Sequence, residues 1–293
     1  MRILLFLITN AAVLVLISII FQFFGIEGML RQNGVDLNLE GLLISSAIFG
    51  MSGSFISLLI SKWMAKRTMG VHVIEQPANA TESWLVESVA RMAKQAGIGM
   101  PEVGIFDSPD PNAFATGFSR DSALVAVSTG LMRSMGADEV EAVLGHEISH
   151  VANGDMVTMG LLQGVLNTFV IFFARLIGFS VDRVLLRSDN NREGFGIGYF
   201  VAQMVAQIVL SLLASMVVMW FSRHREFRAD AGGANLAGRQ KMIGALQALQ
   251  RAHDPAPLPG EMAAFGINAG GFSRLFSSHP PLEERIEALR NSR

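Results

Sequence analysis

The sequence predicts an α-helical integral membrane protein that also carries a cytoplasmic α+β domain. Three observations point there. Of the 293 residues, 51% are hydrophobic and only 16% charged, and the mean hydropathy is +0.40, too apolar for an ordinary soluble chain. The apolar residues gather in four runs, at 3–24, 41–60, 158–179 and 197–221, each close to the roughly 20 residues that cross a bilayer as a helix. Between and after these runs the pattern becomes amphipathic and turn-punctuated, as in a water-facing fold. A net charge of -2 gives no reason to expect nucleic acid as a partner. Cys is absent, so disulfides and thiolate ligands are excluded, and any metal must use His, Asp or Glu.

Residues 1–67 read as two transmembrane helices joined by a short periplasmic loop. The first run is longer than the apolar core of a cleaved signal peptide, and no small-x-small site follows it. The second is interrupted by Ser45, Ser46, Ser52, Ser54 and Ser57, small hydroxyl residues that suit close helix packing. Lys62, Lys66 and Arg67 follow, and the positive-inside rule places this end in the cytoplasm.

Residues 68–156 read as the first part of the cytoplasmic domain. An amphipathic helix is expected over 82–95, capped by Thr81, with Leu85, Val89, Met92 and Ala96 inward and Gly97 stopping it. Short β-rich runs lie at 102–107 and 123–128, with a further strand over 112–117. The run 123–128 is expected to form an edge that pairs with an extended peptide. Next comes a helix opening near Gly136, with Asp138, Glu139 and Glu141 in its first turns, as the helix dipole favours. Residues 157–221 hold two further transmembrane or membrane-embedded helices, in which Gln163, Asn167, Gln203 and Gln207 face neighbouring helices. A buried hairpin of a soluble domain is the alternative for this pair. Residues 222–293 return to the cytoplasm as a mostly helical second part, opening with Arg223, Arg225 and Arg228.

The chemistry centres on His146-Glu147-Ile148-Ser149-His150. Positions four apart on a helix lie one above the other, so His146 and His150 can offer two imidazoles to one ion. Glu147 lies on the adjoining edge, placed to touch a water on that ion and take its proton as general base. A catalytic zinc needs a third protein ligand and an open position. Position 156 is Met, so a third histidine six residues on is excluded. If the fourth helix continues past its apolar run, Glu226 and Asp230 share a face. Glu226 can bind the ion while Asp230 accepts an N–H from a zinc-bound imidazole. His150 precedes the third run by about eight residues and Glu226 follows the fourth by about five. At 1.5 Å per residue they lie roughly 12 and 8 Å from the same membrane surface. Asp155, Glu261 and His224 compete for the ligand position, Asp155 only if the helix breaks after Asn153-Gly154.

These pieces resemble the HtpX family of bacterial membrane zinc metalloproteases, relatives of the CAAX prenyl proteases. The resemblance rests on Asn112-Ala113-Phe114-Ala115, on Val143-Leu144-Gly145 followed by the histidine motif, and on the segment from Phe221 to Asp230. Ser278-His279-Pro280-Pro281-Leu282-Glu283-Glu284-Arg285-Ile286 completes it. It implies a zincin-like (gluzincin) domain with one Zn2+ per chain on His146, His150 and Glu226, and Glu147 as catalytic base. It also implies a multi-pass protein of the bacterial inner membrane, its catalytic domain in the cytoplasm, degrading damaged or misassembled membrane proteins under envelope stress and capable of self-cleavage. His279 is the candidate oxyanion donor, with Arg285 as a neighbour that could position it; a helix-capping turn before the helix over 282–290 is the alternative role for this segment. Tyr199, the chain's only tyrosine, lies in an apolar run and is a poor donor. A zinc hydrolase of another amide bond and a catalytically silent scaffold are the competing readings.

Overall fold

The computed structural model describes residues 38–185, 196–253 and 279–292, with isolated positions near residue 25. The first apolar run, most of the loop after it, and Glu261 lie outside the described residues. The chain divides into two compact units, Met1–Ile56 with Gly160–Val218, and Ser57–Met159 with Met219–Arg293.

The second unit is an α+β fold. Its helices are α2 (Ala80–Ala96), α3 (Thr129–Ser134), α4 (Ala137–Asn153), α7 (Arg239–His253) and α8 (Leu282–Asn291), with the ends of longer helices described below. Its sheet contains β1 (His72–Val73), β2 (Glu102–Phe106), β3 (Ala113–Ser119) and β4 (Ser122–Ser128) in the order β1-β2-β4-β3. β2 and β4 run parallel and the other pairs antiparallel. The core is apolar and continuous: Leu85, Val89 and Met92 from α2, Val125 and Val127 from β4, Leu144 and Ile148 from α4, and Leu246 from α7 are at most 1% exposed.

Two expectations change. Helix α2 is capped by Asn79 rather than Thr81. The Asn79 side chain accepts the Glu82 N–H at 2.9 Å, while Glu82 reaches back to accept the Ala78 N–H at 2.8 Å, a reciprocal cap that starts the helix earlier. The expected edge strand over 123–128 is central: β4 is paired on one side with β2 and on the other with β3. Both its faces are covered, which is why its run is apolar throughout rather than alternating. β3 is the edge.

The first unit gathers parts of three long helices, α1 (Leu39–Thr68), α5 (Asp155–Ser180) and α6 (Ile197–Ala237). These are the helices long and apolar enough to cross a membrane among the described residues. Their contacts are small and polar. Gly50 sits so close to Thr168 that a Cβ would lie 2.5 Å from its backbone nitrogen. Gln163 donates to Asn167 at 2.9 Å, and Asn167 to Ser54 at 3.4 Å, so these amides face helices as expected. Large apolar side chains such as Ile44, Phe49, Phe55, Ile208 and Leu212 stand outward and exposed, a surface suited to lipid and costly in water. The third and fourth runs are therefore not a buried soluble hairpin.

Candidate active site

Helix α4 carries the histidine motif because both its ends are fixed. The Glu139 carboxylate accepts the Gly136 N–H at 2.9 Å. At the other end Gly154 takes a left-handed conformation (φ 68°), its N–H turned back on the His150 and Val151 carbonyls. His146 and His150 stack one turn apart, with Nε2 atoms 3.1 Å from each other.

Glu226 and Asp230 come from α6, which continues unbroken past the apolar run to Ala237. A Gly232-Gly233 pair lets this helix lie directly on α4. A Cβ on Gly233 would stand 2.9 Å from the His146 backbone nitrogen, and Gly145 on α4 faces the Gly233 carbonyl in turn. Only at this separation does a Glu226 side chain reach both imidazoles. Its Oε2 lies 3.6 Å from His146 Nε2 and its Oε1 3.4 Å from His150 Nε2.

The outer nitrogens meet carboxylates. His146 Nδ1 lies 2.9 Å from Asp230 Oδ1, off the line of an ideal hydrogen bond. His150 Nδ1 donates to Asp155 Oδ2 at 2.7 Å. Carboxylates in these positions keep the protons on Nδ1, so both Nε2 atoms present lone pairs to each other and to Glu226. Three acceptors therefore converge, and a cation is the species that reconciles them. One ligand atom from each of His146, His150 and Glu226 lies within 4.8 Å of the others, close enough for a single ion with bonds of about 2.0 to 2.2 Å. Glu226 is buried, at 3% exposure, and desolvation of its carboxylate is offset only by the cationic and N–H groups around it. The residues fit a divalent ion.

Arg285 forks onto Asp230, Nε to Oδ2 at 2.8 Å and Nη2 to Oδ1 at 2.6 Å, and its Nη1 lies 3.2 Å from Glu226 Oε2. Burial disfavours the guanidinium charge, but Asp230 outweighs it and the Arg285 pKa is raised. Burial likewise opposes protonation of His146, yet Asp230 and Glu226 raise its pKa, so a proton competes with a cation here and metal affinity falls with pH. His279, largely exposed, places Nδ1 2.8 Å from Glu226 Oε2. Arg285 thus shares that oxygen with His279, but its main hold is on Asp230.

The acceptors open onto a cleft of about 990 Å3, walled by Asn112 and Ala113 at the start of β3, by Glu147, and by Leu246, His279 and Arg285. Glu147 is half-buried on this wall and does not join the metal-competent group. His224 also lines the cleft, with Nδ1 donating to the Trp220 carbonyl at 2.9 Å, and does not join the metal-competent group.

Residues 79–293 match the sequence profile of peptidase family M48. The chain belongs to that family. A protein named Protease HtpX from Thioalkalivibrio sulfidiphilus is 63% identical over 99% of this chain and 98% of its own length. Another from Pseudoalteromonas atlantica is 62% identical over 98% of both. A Protease HtpX homolog from Nitrosomonas europaea is 57% identical over 99% of each chain. The crystal structure of S. mikatae Ste24p superposes with a TM-score of 0.62 at 19% identity, covering 93% of this chain and 66% of that longer one, which shows a shared fold. The protein is thus a membrane metalloprotease of family M48, a family that depends on zinc in general.

Sequence reasoning left two features unseen. One is the Gly232-Gly233 pair facing Gly145, whose signal was glycine inside an otherwise regular helical pattern. The other is the place of Asp155. The Asn153-Gly154 break does occur and brings Asp155 to the site, but its carboxylate meets the far nitrogen of His150 instead of the acceptor triangle.

Proposed function

We propose that this protein is a zinc endopeptidase of the bacterial inner membrane that removes misfolded or misassembled membrane proteins. One Zn2+ per chain would be held by His146, His150 and Glu226. The convergence of two imidazole lone pairs and a buried carboxylate at 3.1 to 3.6 Å, opening on a cleft beside Glu147, carries this reading. Zinc, when bound, supplies Lewis acidity toward a peptide carbonyl and lowers the pKa of a water. Glu147 takes the proton of that water and hands it to the departing amine. Asp230, clamped by Arg285, holds His146 in the tautomer that leaves Nε2 bare. His279, exposed on the cleft, donates to the developing oxyanion.

β3 supplies the substrate site. Ser128 N–H donates to the Asn112 carbonyl at 2.8 Å, and the register pairs Ala113 with Val127 and Ala115 with Val125. Alternation of an antiparallel ladder then turns the N–H and C=O of Ala113 and Ala115 away from β4, toward the free edge. An extended peptide can pair there and run toward Glu147.

For topology, residues 1–67 and 157–221 are the membrane segments, while 68–156 and 222–293 face the cytoplasm as two parts of one catalytic domain. Because native Cys is absent, single introduced cysteines report orientation without background. Arg251→Cys should resist an impermeant thiol reagent in whole cells and react after lysis; labelling in intact cells would overturn the orientation.

The activity is tested by purifying the full chain in detergent with chelator, then restoring zinc while following casein and self-cleavage. Zinc should restore cleavage in the native protein. Glu147→Gln should bind the same zinc with kcat lowered by about 100- to 10,000-fold. Normal cleavage by that variant would remove Glu147 from its role.

A further inference from the structure

We infer that Asp155 and Arg225 form a second positioning device for the metal site, acting on His150 as Asp230 and Arg285 act on His146. The inference rests on the ligand set proposed above. Asp155 Oδ2 accepts the His150 Nδ1–H at 2.7 Å, the better aligned of the two imidazole–carboxylate contacts. The same oxygen lies 3.0 Å from Arg225 Nη2. Asp155 is only 4% exposed, and the guanidinium and the imidazole N–H both face its carboxylate.

The chain is shaped for this contact. The left-handed turn at Gly154 ends α4 and redirects the backbone. The first residue of α5 therefore returns its side chain to the last turn of the helix just completed. Arg225 comes from the residue preceding Glu226 on α6, so one helix delivers both a ligand and the anchor of the opposite histidine's partner. Each imidazole then has a carboxylate behind it and each carboxylate an arginine. Arg225 faces Asp155, and Arg285 faces Asp230 and Glu226.

Asp155 thereby fixes the His150 tautomer. A neutral acceptor in its place would leave Nδ1–H less favoured, and an amide turned around would donate to Nδ1 and put the proton on Nε2, where no metal can bind. Zinc affinity is the direct readout, taken by competition with a chromophoric chelator on the full chain in detergent, with the Co2+ absorption spectrum as a second readout. Asp155→Asn, close in shape but uncharged, should lower zinc affinity roughly 10- to 100-fold and alter the Co2+ bands, while thermal unfolding at saturating zinc stays near that of the native protein. Asp155→Glu, which keeps the charge, should retain more affinity than Asn. A purely packing role would reverse that order. Arg225→Gln should weaken zinc in the native background and add little on top of Asp155→Asn; fully additive losses would separate Arg225 from Asp155. His150→Ala distinguishes the two levels of the argument. If it keeps zinc, the ligand assignment fails. If it loses zinc while Asp155→Asn binds normally, the positioning role alone is overturned.

Discussion

Glu141 shows how single charges anchor the motif helix one turn before the histidines. It is nearly buried, yet it pairs with Arg91 of α2 and with Lys241 of α7, tying three helices together. Burial raises its pKa, but the hydrogen bonds from Lys241 and Arg91 outweigh this and lower it below the ordinary 4.5. A carboxylate whose folded pKa is depressed stabilises the fold above its unfolded pKa, and this contribution is lost as pH falls through the folded value. Glu141→Gln should therefore lower the urea midpoint at pH 7, and the gap from the native protein should close as pH falls below the ordinary 4.5 and through the depressed folded value. A gap independent of pH would mean the residue acts by packing. The residues proposed to bind metal were legible at this scale because their spacing is chemical: two imidazoles four apart on a helix can serve one ion. The Asn79 cap was less legible, since Asn79 and Thr81 are both good capping residues and only the reach of Glu82 to Ala78 decides between them.

Between elements, the decisive contact is α6 on α4. Gly233→Ala would place a methyl within 2.9 Å of the His146 backbone nitrogen and push the helices apart. Overpacking of this kind costs roughly 1–3 kcal/mol. The expected outcome is a lower melting temperature together with weaker zinc binding, because Glu226 rides on the displaced helix. Loss of stability with unchanged zinc affinity would show that the spacing is not what sets the site. On the sheet, Ala115→Pro removes an outward N–H while sparing the ladder to β4. It should raise KM for an unfolded substrate several-fold with zinc binding intact; an unchanged KM would count against β3. The error over 123–128 has a physical source. The run Ala123-Leu124-Val125-Ala126-Val127 is apolar at every position, the mark of a strand covered on both faces, and hence of a central strand. An edge strand needs only one apolar face, which the weaker pattern of β3 displays. The site's closeness of helices was not legible, because a glycine pair signals close approach without naming its partner.

At the scale of the whole molecule, α6 is a single helix of 41 residues, about 60 Å long, that bears an apolar span at one end and Glu226 and Asp230 near the other. Hydropathy revealed the span and spacing suggested the carboxylates, but only the structure shows that both belong to one helix. The edge of β3 has a different reach. Main-chain hydrogen bonds read peptide groups, which every protein shares, so such an edge is blind to most of a client's sequence. If β3 is the substrate site proposed above, what it senses is whether a client can release a few residues from its own structure. Proteolysis through rapid local opening follows the population of the opened form. Two clients with identical cleavage segments that differ by 1.4 kcal/mol in opening free energy should then be cut at rates about tenfold apart. A series of clients destabilised at positions remote from the cut site would display this as a straight line of log rate against stability, and a flat line would rule it out. On that footing a neighbour is marked for destruction by its own fluctuations, and the protease works as a gauge of folding free energy in the membrane around it.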